Sequence, residues 1–276
     1  MTSFVWLDDG LVTESDARVP INNRAFTSGD GVFEALKVVN GVPFALTRHL
    51  DRLANAAGRL GLECADDASL RDAIAQTIEA NLATVGTLGR LRMTLAGRTG
   101  VGLDRAPGLA TLVITLTPAI TRSEYSSVIT VSWPRNERAL LAGVKTTSYA
   151  EGLAMLKYAQ SKGADEALMP DTTGRLCEGT TCNVAIEYDG KLITPTLSTG
   201  CLPGVTRALA LEWGIVEEHD VAIEELSTTS EVLITSSTRD LMVVDSVNGR
   251  ALGVPGKLAS AAIAEFHRNE AVNPDP

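Results

Sequence analysis

The sequence lacks the features of a protein that binds nucleic acid or crosses a membrane. Its 276 residues carry 24 Lys and Arg against 34 Asp and Glu, and a formal charge of -10 argues against a nucleic-acid or anionic-membrane surface. No apolar run approaches the roughly 20 residues that span a bilayer, and the N-terminal stretch is acidic where a signal peptide begins with basic residues. We therefore expect a cytoplasmic protein.

Cysteine and histidine are also scarce. None of the four cysteines has a CxxC partner, and the three histidines are scattered, so neither a disulfide framework nor a zinc site is predicted. We expect no metal and mostly buried, free thiols. The cysteines are Cys64, Cys177, Cys182 and Cys201.

Lysine occurs only six times, which makes Lys145 conspicuous. Its neighbours on both sides are small or uncharged, so its amine can be desolvated and become nucleophilic. The alternative is an ordinary surface lysine. Glu178 opens a Glu-Gly-Thr-Thr-Cys-Asn run further along. A buried amine and a carboxylate are the two groups that hold pyridoxal phosphate, at its aldehyde and at its ring nitrogen.

The hydrophobic pattern predicts a mixed α/β (α+β) protein with two domains. With 45% hydrophobic residues the chain can bury a large core. We expect a small N-terminal domain at 1–118, a connector at 119–125 and a larger C-terminal domain at 126–276. Helices are predicted from 47, at 69–82, 149–162, 208–213 and 256–267. Strands are predicted at 33–47 (with a turn), 90–96, 110–117, 128–133, 166–169, 183–188, 192–194, 232–235 and 241–244.

Two loops offer donors for an anion. Val205 and Thr206 follow a Gly-Cys-Leu-Pro-Gly turn where a helix begins, and free backbone N–H groups there favour a phosphate. The alternative is a turn with Thr206 as a helix cap. A hydroxyl cluster at 236–238 ends the strand at 232–235 and suits the same anion.

Six segments together resemble the fold type IV pyridoxal-phosphate enzymes, which include D-amino-acid transaminases, branched-chain aminotransferases, aminodeoxychorismate lyases and (R)-amine transaminases. The matching segments are 24–34, 49–53, 143–145, 164–167, 178–183 and 204–207. They occur in family order across nearly the whole chain. The resemblance implies a two-domain architecture in which the larger, C-terminal domain has a β-barrel-like core and binds the cofactor.

The resemblance also implies roles for individual residues. Lys145 would form the Schiff base and carry a proton, and Glu178 would keep the pyridine nitrogen protonated. Arg52 would clamp the phosphate. Further cofactor contacts are expected from Tyr149 (to the phenolic oxygen) and, at the phosphate, from Val205, Thr206, Ser237 and Thr238.

Substrate binding requires a partner for the substrate carboxylate. Arg90 and Arg92 alternate onto one strand face with Thr94 and can build such a site. The other candidates are Phe33, Arg98 and Arg24, the last reaching from the partner subunit of a homodimer that the family implies. Solvent-facing arginines on an edge strand are the alternative for 90 and 92.

The expected reaction is ping-pong transfer of an amino group between an amino acid, with D-amino acids favoured, and a 2-oxo acid. Alternatives are an aminodeoxychorismate lyase, which makes 4-aminobenzoate and pyruvate, and a branched-chain L-amino-acid or (R)-amine transaminase. A cofactor-free Schiff-base aldolase or a non-catalytic relative would need neither a pyridine partner nor a phosphate site. The joint presence of Lys145, Glu178, Arg52 and the turn at 204–206 disfavours both.

Overall fold

The structure is a computed structural model that describes residues 3–102, 104–120, 123–253 and 255–276. The α-helices found there are α1 (Arg24–Ser28), α2 (Leu46–Leu60), α3 (Asp67–Val85), α4 (Ala150–Ser161), α5 (Val205–Glu212) and α6 (Lys257–Val272). Short 3-10 helices cover Leu197–Thr199 and Ile223–Ser227.

Fifteen β-strands lie within the same described ranges. They are β1 (Phe4–Leu7), β2 (Gly10–Thr13), β3 (Gly31–Val39), β4 (Val42–Pro43), β5 (Leu88–Ala96), β6 (Thr111–Pro118), β7 (Ser126–Thr130), β8 (Glu166–Pro170), β9 (Leu176–Gly179), β10 (Asn183–Tyr188), β11 (Lys191–Thr194), β12 (Glu217–Glu218), β13 (Val232–Ser236), β14 (Asp240–Val247) and β15 (Arg250–Ala251).

The chain divides into two compact units. The first holds the described residues up to 120 together with 144–149 and Asp275; the second holds the remainder of the described chain. Thr121 and Arg122 of the predicted connector, like residues 1 and 2 of the predicted first domain, lie outside the described residues. The division at 1–118, 119–125 and 126–276 therefore stays a prediction.

The first unit contains a six-stranded antiparallel sheet in the order β2-β1-β6-β5-β3-β4. Successive side chains of a strand point to opposite faces. On β5, Leu91, Met93 and Leu95 are buried in the core that α2 and α3 cover, while the intervening residues face the other way. The strand thus presents one apolar and one polar face, as its alternating sequence predicts.

Helix α2 positions polar groups against this sheet. Leu46, Leu50 and Leu53 form its apolar stripe, and the helix ends at Gly61, which takes a left-handed φ of 64°. This confirms the helix predicted from 47 and its glycine stop. The helix also brings His49 and Arg52 to β3.

The second unit contains a nine-stranded mixed sheet. Its order is β12-β11-β10-β13-β14-β7-β8-β9, with β15 paired to β14. Strand β9 at the end of this order returns to β10, and the Gly179 N–H donates to the Cys182 carbonyl at 2.8 Å. The sheet therefore curls into a half-barrel, which agrees with the predicted α/β fold and barrel-like C-terminal core.

Three hairpins turn on Xaa-Gly pairs, as predicted. Asn40, Asp189 and Asn248 have φ values of 49°, 50° and 51°, and the glycine after each lies between 77° and 82°. Two successive left-handed residues make the two-residue turn whose twist matches that of paired strands.

Several element limits differ from the sequence-based expectations. Strand β7 ends at Thr130 rather than 133, and the last helix continues to Val272. Strands β1, β2 and β9 were not predicted, because four residues give too little alternation to recognise. Among the described residues, no helix has the length and apolar character needed to cross a membrane.

Candidate active site

Lys145 lies in a segment that runs beside β3 in the first unit. The Phe33 N–H donates to the Lys145 carbonyl at 2.9 Å, and the Thr147 N–H donates to the Gly31 carbonyl at 2.8 Å. A Cβ on Gly31 would lie 2.7 Å from the Leu95 carbonyl oxygen, so this close approach requires glycine. Lys145 is half-buried rather than fully buried.

Three of the predicted site residues contact the Phe33 ring. The Lys145 Nζ lies 4.5 Å from the ring centroid and the Arg92 Cζ lies 3.8 Å from it. Tyr149 packs edge-on at 5.8 Å between centroids. Both cations are therefore held near the same aromatic surface, where cation–π attraction is favourable.

Arg52 shares a buried cluster with Glu34 and His49. Arg52 donates to Glu34 from Nε at 2.6 Å and from Nη2 at 2.7 Å, and His49 Nδ1 lies 2.8 Å from the same carboxylate. Burial alone raises the pKa of Glu34, but the charge and hydrogen bonds of Arg52 outweigh it and hold that pKa far below the ordinary value. Burial lowers the pKa of His49, and because an ionised carboxylate only accepts hydrogen bonds, His49 Nδ1 is the donor to Glu34. Sequence reasoning missed Glu34 and His49 as partners of Arg52.

Arg90 and Arg92 do share one face of β5 with Thr94, as predicted. Arg92 Nε donates to the Thr94 hydroxyl at 3.2 Å. Both guanidiniums are half-buried, and burial lowers the pKa of each, helped at Arg92 by the charge of Arg90. Within the described part of the chain, neither one has a carboxylate partner. Two neighbouring, partly desolvated guanidiniums have the chemistry to pair with a carboxylate, and their role at the substrate stays a prediction.

Arg24 and Arg98 are placed differently. Arg24 donates from Nε to Asp30 at 2.8 Å, and Asp30 also accepts from Arg105. Arg98 is exposed in the loop after β5. Both line an open cavity of about 480 Å³ in the first unit, whose lining residues do not include Lys145 or Phe33. Their substrate-binding role stays a prediction.

Glu178 is a buried carboxylate on β9 of the second unit. One of its oxygens accepts from Arg135, at 3.1 Å from Nε and 2.9 Å from Nη2; the other accepts from the Leu202 N–H at 2.9 Å. Burial lowers the pKa of Arg135, but the charge of Glu178, its hydrogen bond and weaker nearby charges together outweigh burial, so the net shift of the pKa is upward. The sequence contained no sign of Arg135, which lies 43 residues from its partner.

The turn before α5 presents backbone donors, as predicted. The helix begins at Val205, its N-cap is Gly204, and no side chain caps it. Thr206 is a buried residue of the first turn, so the alternative of Thr206 as the cap is wrong. Asn183 donates to the Leu202 carbonyl at 2.8 Å and fixes the approach to the helix. The first N–H groups of an uncapped helix remain available to an anion.

Ser237 and Thr238 lie in the tight turn between β13 and β14, both half-buried. The Arg239 N–H donates to the Ser236 carbonyl at 3.0 Å and closes this turn. The structure thus places Val205, Thr206, Ser237 and Thr238 in the unit that holds Glu178, and Lys145, Arg52 and Tyr149 in the other.

The cysteines are free thiols, as predicted, and three of the four are buried. Among the described residues, Asp240, His267 and Glu270 each bring one possible metal-ligating atom within 4.8 Å of the others. His267 is exposed, and nothing else at this cluster points to an ion. The expected lack of a metal stays a prediction.

Comparisons with known proteins agree on one family. The family model described as "Amino-transferase class IV" matches residues 31–247. A Methanocaldococcus jannaschii protein, whose name assigns it provisionally as a branched-chain-amino-acid aminotransferase, is 31% identical over 90% of this chain and 89% of its own length. The D-alanine aminotransferase of Bacillus licheniformis is 29% identical over 90% of each chain.

A solved structure shows the same fold over nearly the whole chain. The branched-chain aminotransferase of Thermoproteus uzoniensis, solved with norvaline, superposes with a TM-score of 0.88 at 28% identity, covering 97% of this chain and 94% of that one. Enzymes of this family depend on pyridoxal 5'-phosphate (PLP). The chain belongs to the class IV aminotransferases, and PLP is its cofactor.

Proposed function

We propose that this aminotransferase moves an amino group between a D-amino acid and a 2-oxo acid, with Lys145 as the residue that binds PLP covalently. The observation that carries the proposal is the pair of cations on the Phe33 ring: the Lys145 amine and the Arg92 guanidinium. An amino-acid substrate needs both, because its Cα must lie at the lysine while its carboxylate is bound nearby.

The residues present fit PLP in their chemistry. Glu178 offers a buried carboxylate to the pyridine nitrogen, and its bonds from Arg135 and Leu202 are ones that an ionised carboxylate accepts. The phosphate would be held by the uncapped first turn of α5, by the hydroxyls at 236–238 and by Arg52. Arg52 would contact the phosphate while its Nε and Nη2 remain hydrogen-bonded to Glu34. Tyr149 would hydrogen-bond the phenolic oxygen.

Bound PLP supplies an electron sink for the bond that breaks at the substrate Cα. Lys145 would take the proton from Cα and return it to the cofactor side, since a freed amine is a suitable base at this position. The reaction is then ping-pong: the first oxo acid leaves before the second enters.

Arg90 and Arg92 would bind the substrate carboxylate. Leaving a carboxylate unpaired in a partly buried site is costly, and a guanidinium pairs with it in a bidentate manner. An amine without a carboxylate would leave both arginines without an anion, which disfavours an (R)-amine transaminase. A branched apolar side chain would gain little binding energy next to the charges of Arg90 and Arg92. The preference for D-amino acids is further supported by the D-alanine aminotransferase relative.

A branched-chain L-amino-acid aminotransferase is the second candidate. The relative at 31% identity favours it, as does the superposition on the Thermoproteus enzyme. The two functions differ in where the group that binds the substrate carboxylate lies relative to the cofactor.

We also propose a homodimer. Ile21 and Phe26 of the first unit expose 87% and 81% of their surface, and Val19 exposes 45%. Several large apolar side chains exposed in one short stretch are typical of a surface that another subunit covers.

The test is a substrate panel with the PLP-loaded enzyme. D-alanine, L-leucine, (R)-phenylethylamine and aminodeoxychorismate are added separately, and the visible absorption band of the cofactor is followed. We expect D-alanine to remove the band and 2-oxoglutarate to restore it. Reaction with L-leucine alone would establish the second candidate, and pyruvate release from aminodeoxychorismate without need for an oxo acid would establish a lyase. Exposed Lys157→Ala is the matched control for Lys145→Ala, which should react with nothing.

A further inference from the structure

Arg239 forms a buried ion pair that the proposed reaction does not use. Its Nη1 lies 3.0 Å from a carboxylate oxygen of Glu166, and its Nη2 donates to the Thr181 hydroxyl at 2.9 Å. The side chains of Arg239 and Glu166 are 7% and 0% exposed. The pair joins positions 73 residues apart in the sequence, both within the second unit.

The Glu166 carboxylate accepts hydrogen bonds from several donors besides Arg239. Thr181 donates its hydroxyl to Glu166 at 2.6 Å, and Thr180 donates both its hydroxyl and its N–H. A buried carboxylate is tolerated only when such donors surround it. Glu166 therefore forms a rigid centre that orients the guanidinium of Arg239.

The ion pair links two segments that the proposed function assigns to PLP. Arg239 ends the turn that carries Ser237 and Thr238, the proposed phosphate ligands. Thr181 lies in the loop that directly follows β9, the strand that carries Glu178. The Arg239 side chain thus fixes the Ser237–Thr238 turn, which would bind the phosphate, relative to β9, whose Glu178 would bind the pyridine nitrogen.

Arg239 also ties the end of the turn to the rest of the second unit. Asp240, the residue after Arg239, has a φ of 51°, in the left-handed region, which Asp adopts more readily than most residues with a side chain. The bonds from Arg239 to Glu166 and Thr181 restrain the backbone at this end of the turn.

We propose that Arg239 is a positioning residue that holds the Ser237–Thr238 turn in the conformation that binds the PLP phosphate. The inference rests on the proposed function, since the phosphate role of this turn is itself proposed. Arg239 acts through the turn and does not touch the phosphate. Its loss should therefore weaken binding of a phosphorylated ligand and leave binding of the rest of the cofactor unchanged.

The test compares PLP with pyridoxal, which lacks the phosphate. Cofactor-free protein is titrated with each, and the dissociation constants are measured by absorbance. Arg239→Met should raise the dissociation constant for PLP on the order of tenfold to a hundredfold, the range for losing charge-assisted hydrogen bonds, and change that for pyridoxal less than twofold. Arg250→Met is the matched control: Arg250 donates to the carbonyls of Leu226 and Thr229, away from the turn, and its loss should leave the PLP-to-pyridoxal ratio unchanged.

Ser237→Ala separates failure of this inference from failure of the proposed function. If Ser237→Ala lowers the preference for PLP and Arg239→Met does not, the positioning role is wrong. If neither variant changes the preference, the phosphate role of the turn is wrong as well. An equal loss for PLP and pyridoxal in Arg239→Met would show a merely structural ion pair and overturn the inference.

Arg239→Met leaves Glu166 buried without its cation, which destabilises the fold. Two further variants test the inference if Arg239→Met does not fold. The double variant Glu166→Gln with Arg239→Met removes both charges, and Thr181→Val removes the hydroxyl that accepts from Nη2 of Arg239 and donates to Glu166. We expect the double variant to lose the PLP preference as fully as the single one, and Thr181→Val to lose part of it. Retention of the full preference in both would overturn the inference.

Discussion

Replacing Glu34 with glutamine should destabilise the first unit by about 3 kcal/mol at neutral pH. Glu34 is 1% exposed and accepts hydrogen bonds from Arg52 at 2.6 and 2.7 Å, with His49 at 2.8 Å. Glutamine keeps the shape but turns one oxygen into an N–H2 group that faces donors. Removing one partner of a buried ion pair costs about 3–5 kcal/mol, and the remaining amide oxygen places this change at the lower end.

Tryptophan fluorescence can measure this change in the first unit alone. The chain has three tryptophans, and Trp6, which packs against the first unit's core, is the one that lies there. In a background with Trp133→Phe and Trp213→Phe, urea unfolding reports on Trp6. With a urea dependence of about 2 kcal/mol per M, the midpoint should fall by about 1.5 M. The matched control is Glu79→Gln, at an exposed position on α3.

The pH dependence of the difference gives a second check. Because the pKa of Glu34 is lowered in the folded protein, its contribution to stability is fully present above the unfolded value of about 4.3 and is lost as the pH falls below it. The gap between wild type and Glu34→Gln should be constant from pH 8 to about pH 5 and shrink towards pH 3. A loss no larger than that of Glu79→Gln, or a gap that widens in acid, would refute the reasoning.

Two further predictions concern the substrate site and the thiols. Arg92→Gln should raise KM for the amino donor by about 10- to 100-fold, the range for a lost charged hydrogen bond, with a smaller change in kcat. Arg268→Gln, at an exposed position on α6, is the control and should change neither; an unchanged KM for Arg92→Gln would remove Arg92 from the substrate site. Burial raises the pKa of all four thiols, and Cys64 alone among them is half-buried rather than buried, so a disulfide reagent at pH 8 should modify Cys64 first. Cys64→Ser should remove this fast phase; an unchanged fast phase would assign it to another thiol.

Local signals in the sequence predicted local structure well. The Asn40-Gly41 turn and the glycine stop at Gly61 depend on backbone preferences of a few residues, and both occur as expected. The alternation of Arg90, Arg92 and Thr94 against buried Leu91, Met93 and Leu95 follows from strand geometry alone. Short strands such as β1 and β2 were missed because their pairing partners, and not their own four residues, determine them.

The partners of the site residues could not be predicted in this way. Arg52 and Glu34 are 18 residues apart, and Arg135 and Glu178 are 43 apart. No periodicity connects such positions, since packing of different elements brings them together. The resemblance indicated Arg52 and Glu178 individually but gave no sign that each would be paired inside its own unit.

Reduction with borohydride, followed by peptide mass spectrometry, tests the central claim most directly. The reagent fixes PLP to the lysine that holds it, and with six lysines in the chain the modified one can be assigned without ambiguity. We expect one phosphopyridoxyl group per chain on the peptide that contains Lys145, and none in Lys145→Ala. A label on Lys37, or on any other lysine, would contradict the account.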